Sequence, residues 1–79
     1  MLKLPVIKGK ELIKFLESIG FRATRMKGSH VRLRSEDGRA TTVPMHGNKD
    51  IPKGLLCKIV REDLEISIEK FLELYARYK

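Results

Sequence analysis

Apolar residues recur at helical spacing in three separate parts of the chain. The first part runs from Lys10 to Ile19 and is followed by Gly20, a residue typical of the position just after a helix. Its apolar positions are Leu12, Ile13, Leu16 and Ile19. This spacing predicts an amphipathic helix with one face directed at a core.

A second helix is predicted over Ile51–Glu62 and a third helix after Ser67. Asp50 is the candidate N-cap of the second helix, with Pro52 in its first turn, and Ser67 is the candidate N-cap of the third. The apolar face of the second helix consists of Leu55, Leu56, Ile59 and Val60. That of the third consists of Ile68, Phe71, Leu72 and Tyr75.

Between the first two helices, Gly-Ser and Asp-Gly turn signals separate three short runs typical of strands. The runs are Phe21–Lys27, His30–Arg34 and Arg39–Val43. The resulting order, α-β-β-β-α-α, predicts an α+β fold in which helices cover one face of a three-stranded antiparallel sheet and leave the other face open. The segment Ser35–Gly38 permits more than one loop length, and an odd length would place Val43 in the core and Thr42 on the open face.

The pair Gly28-Ser29 fits a two-residue type II′ turn, which fixes the register of the first hairpin. The expected cross-strand pairs are Lys27 with His30, Met26 with Val31, Arg25 with Arg32, and Thr24 with Leu33. Alternation then directs four side chains toward the helices: Thr24, Met26, Val31 and Leu33. The open face carries Arg25, Lys27, His30, Arg32 and Arg34.

Charge indicates the class of partner. We expect the 79 residues to form a single domain over 1–79. They include 17 Lys+Arg and 10 Asp+Glu, which gives a net charge of +7. Between Arg22 and Arg34 there are five cations and no acid. Arg25 directly opposite Arg32 is repulsive, and an RNA backbone would relieve this repulsion. A solvated basic surface is the alternative. The candidate RNA-binding residues are Arg25, Lys27, Gly28, Ser29, Arg32 and Arg34.

His30 is the candidate catalytic residue, since it is expected on the open face among cations. Neighbouring positive charge disfavours the imidazolium form, so we expect a neutral ring that can accept a proton. Such a base can deprotonate the ribose 2′-hydroxyl, which then attacks its own phosphate. His46, which follows Pro44 in a loop, is either a second acid/base group or, somewhat more favoured, a structural or substrate-orienting residue. For His30 the alternative to a catalytic role is that of an ordinary surface or core residue.

Other chemistries have little support in the sequence. The one cysteine, Cys57, cannot form an internal disulfide and is expected inside the second helix as a small buried hydrophobe. Histidine and cysteine spacings match no zinc pattern and the acids do not cluster, so we expect no metal and no cofactor. No apolar run is long enough to span a membrane, and we expect a cytoplasmic protein. Little base specificity is expected, because phosphate contacts carry no sequence information.

Four segments resemble, in order, those of the HicA-type (YcfA-like) toxins. They are GKELIKFLESIGF (Gly9–Phe21), KGSHVRLR (Lys27–Arg34), DGRATTVPMHGNKDIPKG (Asp37–Gly54) and ISIEKFLELY (Ile66–Tyr75). The resemblance implies a fold like the double-stranded RNA-binding domain, metal-independent cleavage of mRNA and inhibition by a cognate HicB-type antitoxin. It places the catalytic histidine at His30 and matches the family's Pro-x-His to Pro44 and His46.

Two features depart from the family pattern. Many members have a serine before Gly-Lys-Glu, where this chain has Lys8, so the side-chain cap of the first helix is lost. The segment Tyr75–Lys79 is also more basic and aromatic than the family pattern.

Two further functions stay open. A non-catalytic double-stranded-RNA-binding module would use the same basic face, although Lys49–Lys53 holds only two lysines where such modules commonly have a basic cluster. An acidic protein partner would also fit this face, and for a toxin it would be the antitoxin.

Overall fold

The computed structural model describes residues 3–79 and has the predicted order of elements. Helix α1 spans Gly9–Ser18, and strands β1, β2 and β3 span Phe21–Lys27, His30–Ser35 and Ala40–Pro44. Helix α2 spans Lys53–Lys58 and continues into a π-helical turn, Ile59–Asp63, and helix α3 spans Ile68–Tyr78. The strands form one antiparallel sheet in the order β1-β2-β3. The α+β prediction is therefore confirmed.

The helices cover one face of the sheet. Helix α1 contacts β1 and β3, the π-helical turn contacts β3, and α3 packs against α1 and the π-helical turn. Sheet residues that enter this core are Phe21, Val31, Leu33, Thr41 and Val43. On the helical side, Phe15 contacts Phe71 and Tyr75 edge to face, with ring centroids 5.4 and 5.3 Å apart. Such aromatic packing adds to the stabilisation from buried area.

The ends of α1 and α3 follow from local chemistry. Gly20, with φ of +105°, comes just after the end of α1, and its amide donates to the carbonyl of Glu17. Ser67 caps α3 by accepting a hydrogen bond from the amide of Lys70 at 3.0 Å. Lys8 precedes α1 without a side-chain cap, and its ammonium lies 3.2 Å from the carboxylate of Asp50. The two predicted signals for helix ends, Gly20 after α1 and Ser67 before α3, are confirmed.

Asp50 is not the N-cap of the second helix, so that prediction is wrong. The helix begins at Lys53, and Pro52 occupies the N-cap position rather than the first turn. Asp50 instead pairs with Lys8 in a β-bridge, and the amide of Ile51 donates to the carbonyl of Ile7 at 2.8 Å. These bonds hold the backbone before α2 extended and leave Asp50 too far upstream to cap it.

The second helix also ends differently from its prediction, because its last turn widens into a π-helix. The amide of Leu64 donates to the carbonyl of Ile59, five residues earlier, at 2.8 Å. Isolated π-helical turns of this kind occur often at functional sites. Here the turn brings Asp63 to β3, where its carboxylate accepts a hydrogen bond from the buried hydroxyl of Thr41 at 2.8 Å.

The loop between β2 and β3 settles the register that the sequence left open. Arg34 pairs with Ala40, so five residues, 35–39, connect them. This odd number directs Val43 into the core and leaves Thr42 on the open face. Asp37 closes the loop by accepting hydrogen bonds from the Ser35 hydroxyl and the Arg39 guanidinium, which lower the pKa of its carboxyl from 3.8 to about 2.

No helix within residues 3–79 is both long enough and apolar enough to cross a membrane.

Candidate nucleic-acid interface and active site

The Gly28-Ser29 turn places His30 at the start of β2 and at the end of the open sheet face. Gly28 has φ of +59°, whereas Ser29 does not have a positive φ, which is the combination of a type II′ turn. Lys27 pairs with His30, as predicted. The His30 ring is exposed, because no helix covers this face of the sheet.

The loop after β3 brings His46 beside His30. His30 pairs with Pro44 across β2 and β3, and the amide of Met45 donates to the carbonyl of Ser29 at 2.6 Å. The two imidazole rings then lie with centroids 5.8 Å apart and planes at 88°. The hydroxyl of Ser29 lies 3.4 Å from Nε2 of His46. The structure thus unites two histidines from different elements.

The cations predicted on the open face lie there together with the histidines. Arg25 pairs with Arg32, and Lys27 pairs with His30, so four of these side chains form two adjacent cross-strand rows. Arg34 lies two residues farther along β2 on the same face. Within residues 3–79, the ion pairs are Lys8–Asp50, Asp37–Arg39, Lys70–Glu73 and Glu73–Arg77. None of them neutralises this face.

A β-bulge in β1 corrects one predicted pair and reveals another arginine. The register shifts between Ala23 and Arg25, so Leu33 pairs with Ala23 and not with Thr24. Thr24 bulges out, and its hydroxyl lies 3.4 Å from the carbonyl oxygen of Arg32. Beyond the bulge the alternation of faces is reversed, which buries Phe21 and places Arg22 opposite Arg34.

Arg22 was missed because an unbroken register would direct it at the core. The sequence did contain a signal of the bulge. In an unbroken strand the apolar Phe21 would lie on the open face and the charged Arg22 would face the core, which is the reverse of what their polarity favours. The prediction that Met26 and Thr24 pack against the helices is also wrong. Both are exposed, Met26 to 60%, since the helices do not reach this end of the edge strand.

Among the arginines of the open face, Arg32 lines the same groove as both histidines. Its guanidinium donates to the hydroxyl of Thr42 at 3.1 Å, and both residues line a groove with His30 and His46. Thr42 has this role because the five-residue loop directs it outward. A positioned guanidinium beside two imidazoles can bind a phosphate and offset charge that develops on it.

The groove runs from the histidines to α2 and the π-helical turn. Its lining consists of His30, Arg32, Thr42, Pro44, His46, Pro52, Leu55, Lys58, Ile59 and Asp63. Asp63 is the one acid among these residues and was not identified from the sequence, because only the π-helical turn carries it to the sheet. The groove combines the histidine pair with an apolar wall.

Within residues 3–79, no group of three or more histidine, cysteine, aspartate or glutamate side chains is placed to hold a metal ion. Cys57 lies in α2, as predicted, but is half-buried rather than fully buried. Every described buried side-chain nitrogen or oxygen has a hydrogen-bond partner.

Comparison with protein families gives a match over most of the chain. A family model described as the HicA toxin of bacterial toxin–antitoxin systems matches residues 9–66, which include α1, the whole sheet, α2, the π-helical turn and both histidines. A comparison with curated proteins gave no match.

Proposed function

The chain belongs to the HicA toxin family of bacterial toxin–antitoxin systems, and from this premise we propose that it is a metal-independent endoribonuclease that cleaves mRNA in the cytoplasm and is inhibited by a HicB-type antitoxin. The observation that carries the proposal is the pair of exposed histidines, 5.8 Å apart between ring centroids, at one end of an uncovered cationic sheet face. RNA supplies both the phosphate for the cations and the internal nucleophile for a base.

In the proposed reaction His30 is the general base and His46 the general acid. The 2′-hydroxyl gives its proton to His30, and the 2′-oxygen forms a bond to phosphorus while the bond from phosphorus to the 5′-oxygen breaks. His46 gives a proton to this leaving oxygen. The products are a 2′,3′-cyclic phosphate and a 5′-hydroxyl. The reaction needs no reactant besides the RNA and the two imidazoles. The separation of 5.8 Å between the ring centroids supports the assignment, because it leaves both rings close to the same end of the cationic face.

Arg32 and Arg25 have electrostatic roles in this proposal. The pentavalent transition state carries more negative charge on its equatorial oxygens than the substrate does, so nearby guanidinium groups stabilise it preferentially. Arg32 is already oriented by Thr42. Lys27, Ser29, Arg22 and Arg34 would contact neighbouring phosphates, with Gly28 allowing close approach of the turn.

The first test is cleavage of a long RNA by the purified protein in EDTA. We expect cleavage without added metal, and we expect His30→Ala to lower the rate at least 100-fold, in line with the usual contribution of a general base. The matched control is Lys14→Ala, an exposed residue of α1 away from the sheet face. Undiminished cleavage by His30→Ala would exclude this base, and tight duplex binding without cleavage would favour the non-catalytic binding module.

The proposed antitoxin inhibits by covering the same surface. An acidic partner would bind the unneutralised cations of the open face and exclude RNA from His30. Antitoxin binding and RNA cleavage should therefore exclude each other. Residual cleavage can be measured while antitoxin is titrated to saturation, and full activity in the saturated complex would contradict this mode of inhibition.

A further inference from the structure

The groove beside the histidines has a wall that phosphate binding leaves unused. This wall is apolar and consists of Pro44, Pro52, Leu55 and Ile59. The groove has a volume of about 510 Å³, within the range of sites that bind small ligands. Because the His46 ring lies at the same groove, a planar group inserted there has both an imidazole and apolar side chains to pack against.

One carboxylate, Asp63, lies at this groove in a fixed position. Its Oδ2 accepts the hydrogen bond from Thr41, a residue that is only 1% exposed, so solvent does not compete for the threonine hydroxyl. Oδ1 has no hydrogen-bond partner among residues 3–79. Arg32 and Lys58 line the same groove, but in this part of the chain neither lies within ion-pair distance of Asp63. A hydrogen-bond acceptor is thus available beside an apolar wall.

We propose that this groove binds the base of a nucleotide next to the scissile phosphate, and that Asp63 selects a base with an exocyclic amino group over uracil. The proposal rests on the RNA cleavage proposed above, which places the phosphate at the histidines. Cytosine, adenine and guanine each carry an amino group that can donate to a carboxylate, whereas uracil has a carbonyl oxygen at the position of the cytosine amino group. Uracil seated in the same way would set this carbonyl oxygen against Asp63, and two facing acceptors repel. Its N3–H donor lies at the neighbouring position, so uracil would have to shift within the groove to donate to the carboxylate.

This site changes the expectation of low base specificity. Contacts from the arginines to phosphates do not distinguish bases. A carboxylate that accepts a hydrogen bond from the base edge does distinguish bases. A single well-placed contact of this kind is worth about tenfold in affinity. Cleavage sites are therefore expected to avoid uracil at the position whose base enters the groove.

The test compares cytosine with uracil, because the two bases have similar size and stacking. Tetranucleotides with 2′-deoxyribose have no 2′-hydroxyl and so are not cleaved by the proposed reaction. Their binding to the full chain is measured for pairs that differ only in deoxycytidine or deoxyuridine at one position. At one position we expect deoxycytidine to bind about tenfold more tightly. Equal affinities at every position, or no detectable binding of either series, would overturn the proposal.

Asp63→Asn provides a sharper test, since the asparagine side chain can reverse the preference. Its carbonyl oxygen can accept the hydrogen bond from Thr41, which directs the amide nitrogen to the groove as a donor to uracil. We expect the ratio of affinities to fall to one or to invert. The control is Glu62→Gln, which removes the same charge from the preceding residue, exposed and outside the groove, and should leave the ratio at about tenfold. An unchanged ratio in Asp63→Asn would exclude Asp63 as the selector.

The outcomes separate this proposal from the proposed function. Cleavage of long RNA together with a wild-type ratio of one would contradict the base site and leave the nuclease intact. A tenfold wild-type ratio without any cleavage would support the base site and contradict the nuclease. The wild-type ratio tests the proposal even if Asp63→Asn fails to fold.

Discussion

The imidazole rings of His30 and His46 lie edge to face, with centroids 5.8 Å apart, although they belong to different elements. Two backbone contacts cause this: His30 pairs with Pro44, and the amide of Met45 donates to the carbonyl of Ser29. The hairpin turn and the loop after β3 are therefore held together by backbone contacts. This joint positioning leads to the first prediction.

His46→Gln should lower the rate of RNA cleavage and remove one limb of its pH profile. Glutamine can still hydrogen-bond to Ser29, so a purely orienting role would leave most of the activity. A general acid supplies a proton to the leaving oxygen, which glutamine cannot do, so the limb of the pH profile that depends on this proton should vanish in the variant. The measurement is kcat/KM for a short RNA between pH 5 and 9. A bell-shaped profile retained in His46→Gln would show that another group is the acid.

Gly9→Ala should disturb the histidine pair by displacing the loop after β3, which carries His46. A Cβ at Gly9 would overlap the carbonyl oxygen of Pro44 and lie 3.1 Å from Cα of Met45, so the segment that carries His46 would have to shift. We expect a loss of stability of about 1–3 kcal/mol and weaker cleavage, as for other overpacked sites. Thermal unfolding and cleavage rates measure both effects.

Gly54→Ala is the matched control for Gly9→Ala. Gly54 lies in α2, and a Cβ there meets nothing within 4 Å. Alanine is the better helix former by about 0.5–1 kcal/mol, so this variant should be neutral or slightly more stable. Equal behaviour of the two variants would show that the close approach of Gly9 to Pro44 does not constrain the loop.

Arg25→Gln should stabilise the free protein and weaken its binding to RNA. Arg25 lies directly opposite Arg32, and the loss of one charge removes a repulsion worth a few tenths of a kcal/mol. One fewer phosphate contact should also reduce the slope of log K against log salt by about 0.7 for single-stranded RNA. Arg77→Gln, on α3, has the same charge change and is the control for the salt slope; it also removes the exposed ion pair with Glu73, so it is not a control for stability. A salt slope as steep as that of the wild type would place Arg25 outside the RNA interface.

Asp37 should make the stability of the β2–β3 loop depend on pH only under strongly acidic conditions. Its pKa is lowered from 3.8 to about 2 by the Ser35 hydroxyl and Arg39. Because the folded state holds this carboxylate deprotonated, its stabilisation is complete above pH 3.8 and is lost as pH falls toward 2. NMR titration of the Asp37 carboxyl should give a midpoint near 2 in wild type and a higher midpoint in Ser35→Ala. Equal midpoints would exclude the serine as the main cause.

Much of the fold could be predicted from local patterns. The glycine of the type II′ turn, the serine cap of α3 and the glycine after α1 each act within a few residues, so their effects are readable without tertiary structure. The prediction of Asp50 as an N-cap is wrong because a distant strand-like contact with Lys8 competes for that segment. Similarly, the bulge at Thr24 is an irregularity that regular alternation does not indicate.

The residues of the candidate site likewise divide into those that local sequence patterns predict and those that only distant contacts bring into place. The sequence by itself determined the turn that presents His30, the cations that alternate along β2 and the apolar faces that leave one side of the sheet open. Only the tertiary structure decided that His46 joins His30, that Thr42 orients Arg32, and that the π-helical turn brings Asp63 to Thr41. The physical reason is range: turns, caps and alternation depend on neighbours in the chain, whereas these three contacts depend on loop length and on packing between elements far apart in sequence.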